Sequence, residues 1–408
     1  MASAQTELAA SGRLLELPRC LYEQTDFVAA LAALREGREA SFDGVWGSSC
    51  ALLAAAIAQD VPDPLVLVCP DQNSLDDLFD DLELFSPSQR TKFPAWESEL
   101  GERIVHDEIY GDRLRLLKQL SRPTDAVDRT GIIVTSIQSL LQPVPSRDSV
   151  AANSRWLRTG EEIDVEQFLR WLVERGFHHT SAVELPGEFS SRGGIIDIFA
   201  PDWLGPVRVE LFDTEVESIR QFEVTSQRSL GSLSEIEVTV LTPSTDDNEL
   251  FTSFLPKETW ILILEPRQVE DEGRRFLGRL ERPENCHGVS SVLQALMQFP
   301  TATASSLLEG ASSTVCRLRA ESVERFSGDI EAIRNELDRI GEGHTVHVVA
   351  PTDAEIQRLR EIMMPTRLAA NGKLSYCVGS LQQGFRLERE RVIVLTSNDL
   401  FHRGQLRR

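Results

Sequence analysis

Gly44-Val45-Trp46-Gly47-Ser48 has the outline of a phosphate-binding turn. Such a turn needs glycines so that backbone N–H groups can cradle phosphate. It also needs a lysine for the β- and γ-phosphates and a Ser or Thr hydroxyl for magnesium. The next three places hold Ser49, Cys50 and Ala51, so both the lysine and the metal-binding hydroxyl are missing. A neutral thiol cannot stand in for an ammonium. The other half of a nucleotide site is an acidic pair at the end of a buried strand. Residues 260–264 (WILIL) suit such a strand, but it ends Leu264-Glu265-Pro266 with a single acid. Gly44, Gly47, Ser48, Cys50 and Glu265 therefore read either as an inactive remnant of a nucleotide site or as an ordinary strand–helix turn with an acid elsewhere. Neither reading supplies catalysis.

A second group of residues is suited to binding. Residues 184–228 read as a β-rich unit in which Arg192 precedes the permissive pair Gly193-Gly194. Residues 207–212 alternate, with Val207, Val209 and Leu211 on one face and Arg208, Glu210 and Phe212 on the other. Asp213-Thr214 suits a turn, and residues 215–222 can return as the partner strand. An aromatic beside an arginine on the polar face of a strand is the composition of a protein-binding hot spot. The plainer alternative is a Phe covered by a helix and an Arg208–Glu210 pair left in solvent.

Other chemistry is poorly supported. His344 and His347 point to opposite faces if extended, as do His178 and His179, and Cys286-His287 sits in a charged, proline-containing stretch. The six cysteines never form C-x-x-C, which fits reduced thiols in a cytoplasmic protein. No metal site and no catalytic triad are expected.

The elements that must position these residues alternate between strand and helix. Residues 27–34 are helical in pattern, and the glycine turn runs into an Ala/Leu-rich helix. The runs 65–69 (LVLVC) and 131–136 (GIIVTS) suit buried parallel strands. An acidic helix over 74–85 begins at Ser74 as its cap, and residues 111–120 form another helix. Residues 165–175 give a helix before the β-rich unit. After residue 243 come a helix, the strand 260–264 and a charged helix over 269–280, with Ser-rich strings near Ser305 and Ser312 read as loops. A last unit has strands at 344–349 and 392–396 around a capped helix, 352–363. The class is α/β. Boundaries are placed at 1–146, 147–242, 243–322 and 323–408.

Composition narrows the partners. The chain has 408 residues, enough for two to four compact units, and is 41% hydrophobic. Neither a membrane-spanning apolar run nor a secretory leader is visible. A net charge of −22 opposes wrapping nucleic acid, although Arg386, Arg389 and Arg391, then Arg403, Arg407 and Arg408, form local basic spots.

FSSRGGIIDIF, VRVELFDTEVESIRQF and TSQR together resemble the UvrB-homology module of the transcription-repair coupling factors (Mfd), and weaker likeness extends along nearly the whole chain. The resemblance implies a degenerate P-loop NTPase-like parallel-sheet domain, an inserted α+β partner-binding module and a further small α/β domain. It implies that the module recruits the excision-repair ATPase UvrA, with Arg192, Arg208 and Phe212 as contact residues. It also reads Leu264 as the replacement of a missing first acid and favours the vestigial nucleotide site. RNA polymerase and DNA would be engaged only by a C-terminal part lying beyond these residues. ATP and magnesium would be confined to the motor there, leaving this chain with no cofactor and no enzymatic activity. The closest competitor is UvrB itself, an ATPase whose tyrosine-rich hairpin clamps DNA. This chain has three tyrosines, an acidic stretch after Trp96, and no intact P-loop.

Overall fold

The apolar runs at 65–69 and 131–136 become the strands β2 (Leu65–Cys69) and β4 (Ile132–Ser136), which the more polar strands β1 (Ala40–Asp43) and β3 (Arg90–Phe93) join. A computed structural model describes residues 14–61, 64–96, 108–122, 131–241, 248–307, 314–323, 326–327 and 329–401. The acidic stretch 97–107, most of the polar stretch 123–130, the boundary at 242–247 and the basic end Arg403, Arg407 and Arg408 lie outside them.

After β4 the chain builds eight strands of a separate module. These are β5 (Ser154–Arg158), β6 (His178–His179), β7 (Glu188–Arg192), β8 (Ile195–Phe199), β9 (Val207–Phe212), β10 (Glu215–Phe222), β11 (Ser229–Leu233) and β12 (Glu235–Thr239). It then returns with β13 (Trp260–Leu264), β14 (Thr301–Ser305) and β15 (Val315–Arg317). These join β1–β4 in one seven-stranded sheet of order β15-β1-β14-β13-β2-β4-β3. Every pairing in it is parallel.

Parallel strands need helices on both faces, and alternation along the strands delivers them. Leu65, Leu67, Leu262 and Leu264 enter one core with the helices Thr25–Arg35, Ser49–Ala58 and Gln72–Phe85. Val66, Val68, Ile261 and Ile263 enter the opposite core with Glu108–Ser121, Pro266–Arg279 and Val289–Leu296. The helix Ser49–Ala58 is buried from Ser49 through Ile57; Ala51 and Ala54 to Ala56 let neighbours approach closely, while Leu52, Leu53 and Ile57 fill the core.

Three sequence expectations are corrected. Ser305 lies not in a loop but at the end of β14, a central strand between β1 and β13. Its sequence TATAS carries no large apolar residue, so hydrophobic patterning does not reveal it. The acidic helix starts at Gln72, and its cap is Asp71, whose carboxylate accepts the Ser74 N–H at 2.8 Å. Between residue 248 and β13 there is only a single 3-10 turn, Phe251–Phe254, and no α-helix.

In the module, β11-β10-β9-β8-β7-β6 form a six-stranded sheet, antiparallel except for β6–β7. The helix Val165–Glu174 covers its inner face, packing Phe168, Trp171 and Leu172 among Ile196, Ile198, Val209 and Ile219. The helix Glu108–Ser121 clamps the module to the first sheet. Lys118 Nζ pairs with Asp202 at 2.7 Å in a buried contact, and Arg115 Nε donates to Asp202 O at 2.7 Å.

The last strands are β16 (Ala320–Ser322), β17 (Thr345–Ala350), β18 (Leu374–Val378), β19 (Phe385–Leu387) and β20 (Val392–Thr396). They make a mixed sheet of order β16-β19-β20-β17-β18. Val349, Cys377, Phe385 and Val394 belong to the same core as the helix Ser49–Ala58, so this unit and the first share an interior. No helix among the described residues is long and apolar enough to cross a membrane.

Candidate functional site

The hairpin register decides which side chains of the module share its outward face. Arg192 opposes Ile195, Ile195 opposes Glu210, and Glu210 opposes Ser218, forming one row across β7–β10. The next row holds Asp197, Arg208, Arg220 and Ser232. Directly opposed residues project to the same side of an antiparallel sheet. Gly193 and Gly194 turn β7 into β8 with φ of 59° and 83°, the two positive values a type I′ turn requires. Leu211 N–H donates to Gly194 O at 2.7 Å, which sets the end of β9 beside that turn. Phe212 follows and is 75% exposed.

The three sequence-predicted binding residues are thus brought to one face, but in different states. Arg192 is exposed and makes no ion pair or side-chain hydrogen bond among the described residues. Phe212 has no helix over it. Arg208 is already engaged: Nε and Nη2 hold Asp197 at 2.7 and 2.8 Å, and Nη2 also donates to Gln227 Oε1 at 3.3 Å. Its guanidinium lies 4.9 Å from the ring centre of Phe222. Asp197 raises the Arg208 pKa further, chiefly through this hydrogen bonding. The Arg208–Glu210 pair of the plainer reading does not form. Glu210 instead pairs with Arg220 at 3.2 Å and accepts the Ser218 hydroxyl at 2.5 Å. Arg220 was missed in the sequence, although its place in EVESIRQF, one pleat beyond Ser218, would have put it on this face.

The glycine turn forms the strand–turn–helix expected of it. β1 ends at Asp43, Gly44 and Gly47 have φ of 71° and 51°, and the helix begins at Ser49. The C-terminal unit covers this turn. Gln383 N–H donates to Ser48 Oγ at 3.0 Å, and Gln382 N–H donates to Asp81 Oδ1 at 2.9 Å. Gln383 Oε1 lies 2.8 Å from the place a Cβ on Gly47 would take, and Trp46 Nε1 donates to Ala320 O at 2.8 Å. Burial, with Glu265 and Asp81 nearby, pushes the Cys50 thiol up to about 12, so it stays neutral. Burial likewise pushes Asp81 up to about 7, against the opposing effect of its bonds to Ser48 and Gln382. Glu265 takes a left-handed conformation (φ 49°), and its carboxylate accepts the Ser306 N–H at 2.7 Å.

His344 and His347 have separate partners. His344 Nε2 lies 3.2 Å from Glu388, and His347 Nδ1 lies 2.6 Å from Ser375 Oγ. Among the described residues no cluster of three or more His, Cys, Asp or Glu could hold a metal ion.

Residues 156–243 match the family model of the UvrB interaction domain. A transcription-repair-coupling factor of Bacillus subtilis strain 168 is 31% identical over 219 residues, covering 53% of this chain and 18% of that protein. Those of Staphylococcus aureus strains bovine RF122/ET3-1 and USA300 are 24% and 25% identical over 429 aligned positions, covering 84% of this chain and 36% of each protein. The chain therefore spans about a third or less of the length of these relatives.

Proposed function

From a chain that carries a UvrB interaction domain and is related along most of its length to the N-terminal UvrB-homology region of the transcription-repair-coupling factors, we propose a docking region that recruits UvrA to stalled RNA polymerase. The observation that carries this reading is the outward face beside the Gly193-Gly194 turn. There a large aromatic, Phe212, is 75% exposed next to an uncommitted arginine, all within the matched module. An apolar side chain in water beside a free planar cation gains only when a partner covers both.

Phe212 acts as the anchor, and Arg192 presents its fork to a carboxylate or carbonyl of UvrA. Arg208 contributes mainly by holding Phe222 and Gln227 in place, with Nη1 left for an outside acceptor. The module corresponds to about residues 147–242, set between 1–146 and 243–322, with 323–408 as the last unit. RNA polymerase and DNA are partners of the longer parent, whose ATP-driven motor lies outside these 408 residues. The setting is the cytoplasm.

The same reading makes the glycine turn a vestigial nucleotide site. It is supported by the missing lysine and by the Gln382–Gln383 backbone lying on Ser48 and Asp81, where phosphate would have to enter. Glu265 is committed to the Ser306 N–H instead of a metal. Two titrations test the proposal. UvrA titrated into this chain without nucleotide should bind, and magnesium-ATP should give neither saturable heat nor hydrolysis. Tight magnesium-dependent ATP binding with turnover would instead favour a UvrB-like ATPase.

A further inference from the structure

A cleft of about 750 Å³ opens at the carboxyl ends of β2, β4 and β3, apart from both the docking face and the glycine turn. The helix after β2 packs into one core and the helices after β3 and β4 into the other. The chain therefore parts between β2 and β4, and in open α/β sheets that is where ligands are received. The volume is within the range of small-molecule sites.

Polar groups in and behind its lining have incomplete hydrogen bonding. Gln72 Oε1 is buried without a partner. Trp96 lines the cleft with its main chain fixed by Gln142, whose side chain accepts the Trp96 N–H at 3.1 Å and donates to Trp96 O at 2.7 Å. The indole N–H makes no hydrogen bond among the described residues. Behind this wall Arg113 is 2% exposed, with its guanidinium 4.8 Å from the Trp96 ring and 4.1 Å from Phe93. Arg113 Nη1 donates to Pro94 O at 2.7 Å, while Nη2 is buried and unpaired. No carboxylate among the described residues reaches this cation, and burial lowers its pKa to about 9. At the mouth, Arg279 and Arg282 are exposed and carry no ion pair among the described residues. Buried polar atoms without partners are uncommon enough in folded proteins to call for an explanation.

We propose that this cleft binds a nucleoside 5′-monophosphate. Its flat heterocycle lies against Trp96, the carboxamides of Gln72 and Gln138 read its edge, and Arg279 and Arg282 hold its phosphate. A heterocycle presents donors and acceptors in one plane beside a stacking face, which matches carboxamides set around an indole. Two arginines at the rim match an anionic tail; of the carboxylates in the same lining, Asp71 accepts the Ser74 N–H, Glu272 pairs with Arg275, and Glu281 is exposed at the mouth. A long nucleic-acid strand does not fit a chain of net charge −22, whereas one nucleotide needs only the local pair.

The test is calorimetric titration of the whole chain with adenosine 5′-monophosphate, uridine 5′-monophosphate, the two free nucleosides and inorganic phosphate. Saturable binding of at least one monophosphate is expected, weaker binding of its nucleoside, and none of phosphate. Trp96→Ala should weaken the monophosphate at least about tenfold, as loss of one stacking partner implies. Trp96→Phe keeps the ring and should stay within a few-fold, which guards against a folding artefact. Arg279→Ala/Arg282→Ala should reduce the monophosphate to the level of its nucleoside. Failure of both monophosphates to bind the folded chain would overturn the proposal, and so would binding indifferent to these substitutions.

Discussion

Arg208 and Phe212 stand on the same face of β9, but the fold depends on only one of them. Phe212 is 75% exposed, so Phe212→Ala should shift stability by no more than about 0.5 kcal/mol. Arg208→Ala removes a bidentate partner from Asp197 and uncovers Phe222, which should cost on the order of 1–2 kcal/mol in urea unfolding. Binding data for an Arg208 variant must therefore be read beside its stability. Asp81 gives a pH signature. Burial raises its folded-state carboxyl to about 7, well above the ordinary aspartate range. The stabilisation this provides is complete below about pH 4 and is lost as pH rises towards 7. Wild-type chain should lose stability between pH 5 and pH 7.5 more steeply than Asp81→Asn, and parallel melting curves across that range would refute this assignment.

At the scale of elements, the helix Glu108–Ser121 fixes where the module's six-stranded sheet points. A Cβ on Gly111 would collide with Pro201 O, a backbone atom that cannot step aside. Gly111→Ala should cost about 1–3 kcal/mol or loosen the module, seen as faster amide exchange at 200–203 with β9–β10 still protected. Much of this scale was legible in the sequence, because periodicity marks it. LVLVC and WILIL announced buried strands, and VRVELF with its return announced the β9–β10 hairpin together with its outward face. The rest lacked a local signal. β14 is built of Thr, Ala and Ser, so only its neighbours define it. Arg208 finds Asp197 through cross-strand register, and spacing within one strand suggested Glu210 instead. The cover over Ser48 comes from residues more than three hundred positions away.

As a whole, the molecule is an acidic chain that carries a local face at β7–β10 where arginine and aromatic meet. Its charge of −22 should leave it without measurable affinity for duplex DNA even at ~50 mM salt, checked by fluorescence anisotropy. The first and last units share a core, so removing the last should expose Ser48, Leu84 and Phe85 and destabilise the first. The central claim is that the face beside the Gly193-Gly194 turn is the centre of a UvrA contact. It is tested most directly by titrating UvrA into wild type, Phe212→Ala and Leu204→Ala, the last changing an 84%-exposed residue at the opposite end of β9. The account predicts that Phe212→Ala loses about 2 kcal/mol, roughly thirtyfold, while Leu204→Ala binds as wild type does. Equal affinity for wild type and Phe212→Ala, with both chains folded, would contradict it.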